Sequence, residues 1–249
     1  MTDMNNTQLR DTIATACRVL GHLGLARETT GHVSARVGSN RMLIRCRGSD
    51  EAGIVFTVPE VVREVDFDGR DPEGDAEFEK PSELPIHGEI LRLRPDVNAV
   101  VHCHPKASMI CSLLGLDLQP IFSSFDPTAS ALAAAGIPTY QRSILIRSKS
   151  LAHDLVEALG DKSVCLMKGH GIVAVGDTVE EATLNAIRLE TLASISLEVL
   201  KAGGQLISMP DEDLSSLNAA TRRAGDKSKP RQGNWAWRHY VKLMEGESK

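Results

Sequence analysis

Leu9, Ile13, Ala16, Leu20 and Leu23 recur at the spacing of one helix face and Gly24 follows them, so residues 7–26 are predicted to form an amphipathic helix. The period then shortens. Residues 32–37, 42–46, 54–58 and 61–67 are brief β-rich runs separated by Gly, Ser, Asn or Pro, the pattern of antiparallel strands. The stretch 69–81 is acidic and carries Gly and Pro, as an exposed loop does. Beyond Ser82, the positions Ile86, Ile90 and Leu93 predict a helix that tolerates Pro85 in its first turn. Residues 97–103 read as a buried strand, 105–115 and 127–136 as helices, and 139–146 as a further strand. Two strands, 163–167 and 172–175, flank the turn Lys168-Gly169-His170-Gly171. Thr178 to Glu181 forms a capping box heading a long helix that runs through Ala186, Leu189, Ala193 and Leu200 and stops at Gly203-Gly204. No repeat or low-complexity tract interrupts these elements. They describe one α/β or α+β layered domain over 1–249 on a largely antiparallel plan, with a C-terminal helical extension from about residue 211.

Composition narrows the partners. A chain of 249 residues with 42% apolar content can bury a substantial core. A net charge of −5, no run of five like charges and 4% aromatic residues argue against nucleic acid and leave a small molecule as the expected partner. The first residues lack the basic flank and apolar core of a secretory signal, and no apolar run approaches the roughly 20 residues that span a bilayer. A cytoplasmic protein without a membrane partner is expected. Cys17, Cys46, Cys103, Cys111 and Cys165 are scattered through apolar stretches, which fits buried thiols in a reducing compartment.

The chemistry-bearing residues are histidines. In Val-Val-His-Cys-His-Pro, His102 and His104 lie two apart on a predicted strand, so their side chains share a face while Cys103 turns to the other. Pro105 ends the strand there. A His-x-His pair alone more often belongs to a satisfied core than to a metal site. His170 sits between two glycines, which let backbone approach closely. Three neutral imidazoles can hold zinc, manganese, cobalt or iron and leave positions open for substrate oxygens. Glu83 heads the helix after Ser82, where the helix dipole favours its ionised form. His87 and Glu89 on the same segment are read as helix-face residues.

The segments PSELPIHGEILRLRPDVNAVVHCHP and KGHGIVAVGDTVEEA resemble the class II aldolase/adducin family, typified by fuculose-phosphate aldolase. The likeness runs from about 8 to 205 and rests on an ordered set: Glu83, 19 residues to His102, and His170 66 residues after His104. The resemblance implies a three-layer α/β/α domain, one divalent metal ion on His102, His104 and His170, and Glu83 as fourth ligand or acid/base. It further implies a homotetramer with active sites at subunit interfaces, into which a C-terminal tyrosine, here Tyr240, can reach as an acid. A plain packing helix is the competing reading of that segment.

The departures from the sugar-phosphate members concern the phosphate cradle. Here the corresponding stretches are Gly31-His32, Arg47-Gly48-Ser49-Asp50-Glu51 and Pro81-Ser82. Pro81 has no N–H to give, and Asp50 and Glu51 are expected to repel a dianion. Arg47 and His32, with Gly48 and Ser82 beside them, instead suit a carboxylate substrate. The resemblance to the family's decarboxylases therefore implies a metal-dependent carbon–carbon lyase that decarboxylates a hydroxy-aromatic or oxo carboxylate through a metal-stabilised enolate-like species. Class II aldol cleavage and a non-catalytic, adducin-head-like binding role are the alternatives.

Overall fold

The computed structural model describes residues 2–71, 74, 77–224 and 235–246. Residues 72, 73, 75 and 76 of the acidic loop and 225–234 of the C-terminal extension lie outside the described residues. Seven strands form one sheet: β1 (His32–Gly38), β2 (Arg41–Arg45), β3 (Val62–Asp66), β4 (Ala99–Cys103), β5 (Thr139–Tyr140), β6 (Val164–Met167) and β7 (Gly171–Gly176). Eight helices are described: α1 (Thr2–His22), α2 (Leu84–Leu93), α3 (Lys106–Leu114), α4 (Pro127–Ala134), α5 (Lys149–Leu159), α6 (Val179–Lys201), α7 (Asp211–Ala224) and α8 (Trp235–Gly246).

The sheet order is β3-β2-β1-β4-β7-β6-β5, antiparallel throughout except for the short parallel pair β5–β6. Alternation along the strands sends side chains to two separate cores. Val33, Val101, Leu166 and Ala174 pack under α1, α3, α4 and α6, whereas Ile44, Val100, Cys165 and Val173 pack under α2 and α5. The result is the three-layer α/β/α plan with a largely antiparallel sheet that the sequence implies. On β4 this alternation puts Cys103 into the first core and His102 on the second face, facing α2.

Two expectations need correction. Residues 54–58 do not form a strand: Ile54–Phe56 is a turn of 3-10 helix, closed by the Thr57 hydroxyl donating to Ile54 O at 2.7 Å. Only Ile54 of the apolar run is anchored, while Phe56 and Val58 remain exposed, so no strand ladder competes with the local turn. The 139–146 strand shrinks to Thr139–Tyr140, and α5 follows it. Its signals are ordinary ones: Ser148 accepts from the Leu151 N–H as N-cap, and Ala152, Leu155, Val156 and Leu159 form the buried stripe.

Candidate metal centre

Four side chains from three separate parts of the chain meet at the end of β4. Glu83 is the N-cap residue of α2, His102 is on β4, His104 follows the strand end, and His170 is in the β6–β7 turn. One ligand atom from each lies within 4.8 Å of the others. The strand stops because His104 gives its N–H to Leu25 O at 2.9 Å and Pro105 starts the turn into α3. Turn geometry places His170: Gly169 has φ +62, and a Cβ on Gly171 would sit 2.3 Å from Cys103 O and 2.7 Å from His104 Cδ2. Glycine at 171 is what lets β7 close against the histidine pair.

Second partners fix these side chains. His102 Nδ1 donates to Ile172 O at 2.9 Å, which leaves its Nε2 lone pair facing the cluster. His104 Nε2 lies 3.0 Å from that nitrogen, about the separation of two ligands each 2.0–2.1 Å from one ion. Glu83 Oε1 accepts from the Ile146 N–H at 2.7 Å, so Oε2 turns inward, 3.5 Å from His102 Nε2 and 3.3 Å from His170 Nε2. That last approach lacks hydrogen-bond geometry. Both ring nitrogens of His170 are buried without a hydrogen-bond partner among the described residues, and a cation would account for the Nε2 that faces Glu83. Burial would raise the Glu83 carboxyl, but the His102 and His170 imidazoles beside it prevail and hold it well below the ordinary carboxylate range. Burial, reinforced by neighbouring rings, lowers the His104 imidazole to about 3, which keeps it neutral and its lone pair available to a cation. Three imidazoles and one carboxylate fit a divalent cation, and zinc, manganese, cobalt and iron all accept this donor set.

His32 stands beside the cluster as the cross-strand partner of His102, with ring centroids 5.1 Å apart. His87, expected on the face of α2, is fully buried, and its ring bridges His32 Nδ1 at 2.8 Å and Ser34 Oγ at 2.6 Å. Burial and nearby rings hold both His32 and His87 well below the ordinary imidazole range. The spacing held the missed signal: His87 is one turn after Glu83, and Ser34 is two residues after His32 on the same strand face.

The other candidates are spread more widely. Arg47 Nη2 donates to Thr29 O at 3.5 Å, in the loop that leads to His32, and Nη1 lies 3.7 Å from Glu79. Gly48 lines a cavity of about 270 Å³ with Asp50 and Phe78, and none of the four ligands lines it. Ser82 is exposed next to Glu83. The Glu51 carboxylate accepts from buried Arg45 and from the Gly53 N–H, both at 2.7 Å, so it is paired within the chain. Tyr240, on α8, lines a cavity with Leu25, Phe125 and Glu190 on the α1/α6 side; within one chain it does not join the histidine cluster. A smaller opening of about 220 Å³ reaches His170 between Ser143, Leu145 and Gly169.

The layered sheet carries a Glu–His–His–His cluster able to hold a divalent cation. The chain belongs to the Class II Aldolase and Adducin N-terminal domain family, whose model matches residues 11–197. It is 47% identical over 211 residues to a 3,4-dihydroxyphthalate decarboxylase of Arthrobacter keyseri, covering 84% of this chain and 85% of that protein. A 3,4-dihydroxyphthalate decarboxylase of Terrabacter is 40% identical, with 94% and 96% covered. Among solved structures, L-fuculose 1-phosphate aldolase from Glaciozyma antarctica superimposes with a TM-score of 0.78 at 18% identity, covering 99% of this chain and 92% of that one. That likeness shows the shared fold. No helix among the described residues is long and apolar enough to cross a membrane.

Proposed function

We propose that the chain is a divalent-metal-dependent decarboxylase of a dihydroxylated aromatic dicarboxylate of the 3,4-dihydroxyphthalate type. The observation that carries this reading is the complete cluster of Glu83, His102, His104 and His170, with every ligand atom within 4.8 Å, in a chain 40% to 47% identical to named decarboxylases. His102, His104 and His170 would hold the divalent cation, which would supply positive charge to adjacent substrate oxygens. Glu83 has its Oε1 pinned by Ile146, so Oε2 accepts a proton from a substrate hydroxyl and returns it to the ring carbon that carbon dioxide has left. His32 and Arg47 receive the substrate carboxylates, with Gly48 and Ser82 shaping the approach.

The small-molecule partner is thus a carboxylate, and the reaction places the protein among lyases. A homotetramer with sites at subunit interfaces fits this reading, because Tyr240 can serve as an acid only across an interface. A cytoplasmic location is supported by five free, buried cysteines. We treat residues 1–249 as one catalytic unit. Aldol cleavage of a sugar phosphate needs a phosphate cradle, which Pro81 and Asp50 make poor. A purely binding role gives no chemical reason to keep all four ligands. The test is incubation of the metal-loaded protein with 3,4-dihydroxyphthalate: release of one carbon dioxide per dihydroxybenzoate formed supports the reading. Aldehyde from a phosphosugar without carbon dioxide overturns it.

A further inference from the structure

The buried chain Ser34–His87–His32 carries an inference about hydrogen-bond direction. Ser34 and His87 are completely buried and His32 nearly so. Two hydrogen bonds link them, Ser34 Oγ to His87 Nδ1 at 2.6 Å and His87 Nε2 to His32 Nδ1 at 2.8 Å. Neutral imidazole carries one N–H, so the protons can be arranged in only two ways. In the first, His32 Nδ1–H donates to His87 Nε2, and His87 Nδ1–H donates to Ser34 Oγ. The Ser34 hydroxyl hydrogen then has no acceptor among the described residues, a cost that a fully buried group does not bear cheaply. In the second, Ser34 O–H donates to His87 Nδ1 and His87 Nε2–H donates to His32 Nδ1, so the hydrogens of the buried Ser34 and His87 both have acceptors. His32 is then left with its proton on Nε2.

We propose that Ser34 and His87 act as a tautomer lock that makes His32 an obligate Nε2–H donor, suited to a substrate carboxylate and closed to a group that must itself donate. The lock is a positioning device: Ser34 and His87 work through His32. This deepens the decarboxylase reading and rests on it only for the identity of the acceptor. It also accounts for the presence of histidine beside the metal cluster without asking it to bind the ion, since Nδ1 is occupied by His87 and His32 is not among the four converging ligands.

The experiment has two readouts that do not need turnover. Imidazole nitrogen NMR is recorded on zinc-loaded protein with ¹⁵N-labelled histidines, the His32 signals being assigned by their loss in His32→Gln. A protonated Nε2 and bare Nδ1 on His32 is the expected result, and the reverse tautomer overturns the proposal. Affinity for phthalate, an unreactive dicarboxylate, is measured at matched zinc content for the wild type and Ser34→Ala. Weakening of roughly tenfold, with mixed His32 tautomers in the variant, is expected when a charge-assisted donor is no longer enforced. Unchanged affinity and an unchanged tautomer in Ser34→Ala overturn the lock. If both readouts hold while 3,4-dihydroxyphthalate is not decarboxylated, the lock stands and the substrate assignment alone fails.

Discussion

At the scale of single residues, the centre depends on groups that differ in what they can lose. Glu83→Gln keeps the shape and the Ile146 hydrogen bond but cannot carry a proton on the oxygen facing His102 and His170. Its kcat should fall by about 10²-fold or more while thermal stability changes little. A kcat within a few-fold of wild type would assign the proton to another group. His104→Ala should abolish near-stoichiometric metal, read by elemental analysis of the purified protein; wild-type metal content in that variant would dissolve the proposed ligand set. Gly171→Ala tests the backbone instead. Its new Cβ meets a carbonyl oxygen at 2.3 Å and the His104 ring at 2.7 Å, so β7 must shift away from β4. Weaker metal binding together with a lowered Tm is expected, and a normal Tm with normal metal would contradict the close approach.

At the scale of elements, what the sequence reveals depends on whether a signal is local. The strand carrying His102 and the capping box of α6 are visible because their periods are unbroken over many residues, and Thr178 accepts from the Glu181 N–H as that box requires. The run 54–58 misleads because β-branched residues favour a strand only when a neighbour is available. The pairing of His32 with His102 and the tie from Glu83 to Ile146 are long-range consequences of sheet order, and no local period encodes them. Helix α3 is a further case. It starts at Pro105, which offers no capping side chain, and the missing cap comes from α6: Glu190 accepts from the Ala107 and Ser108 N–H groups, each at 2.8 Å, and from the Ser108 hydroxyl at 2.7 Å. Glu190→Ala should therefore cost about 1–3 kcal/mol of unfolding free energy by leaving part-buried donors unpaired. Chemical denaturation measures it, and a change below about 0.5 kcal/mol would show that solvent replaces the cap.

At the scale of the whole molecule, burial governs thiol chemistry. Burial pushes the Cys17, Cys46 and Cys111 thiols up to about 11 and Cys165 to about 12, so their thiolate fraction at pH 8 is roughly a thousandth or less. Native protein should resist alkylation at pH 8 and react faster as pH rises, whereas denatured protein should take five labels; rapid native labelling would place a thiol at the surface. The exposed Phe125 and Ile207 lie by an apolar groove lined by Phe122, Ile195 and Leu206, the kind of surface that a homotetramer would cover. The proposed decarboxylation depends on one cation held by His102, His104 and His170, with Glu83 beside it as the proton carrier. The direct measurement is carbon dioxide release from 3,4-dihydroxyphthalate as metal-free protein is titrated with a divalent metal. The account predicts a rate that climbs with bound metal and saturates at one ion per chain. Carbon dioxide release indifferent to metal, or none at full loading, would contradict it.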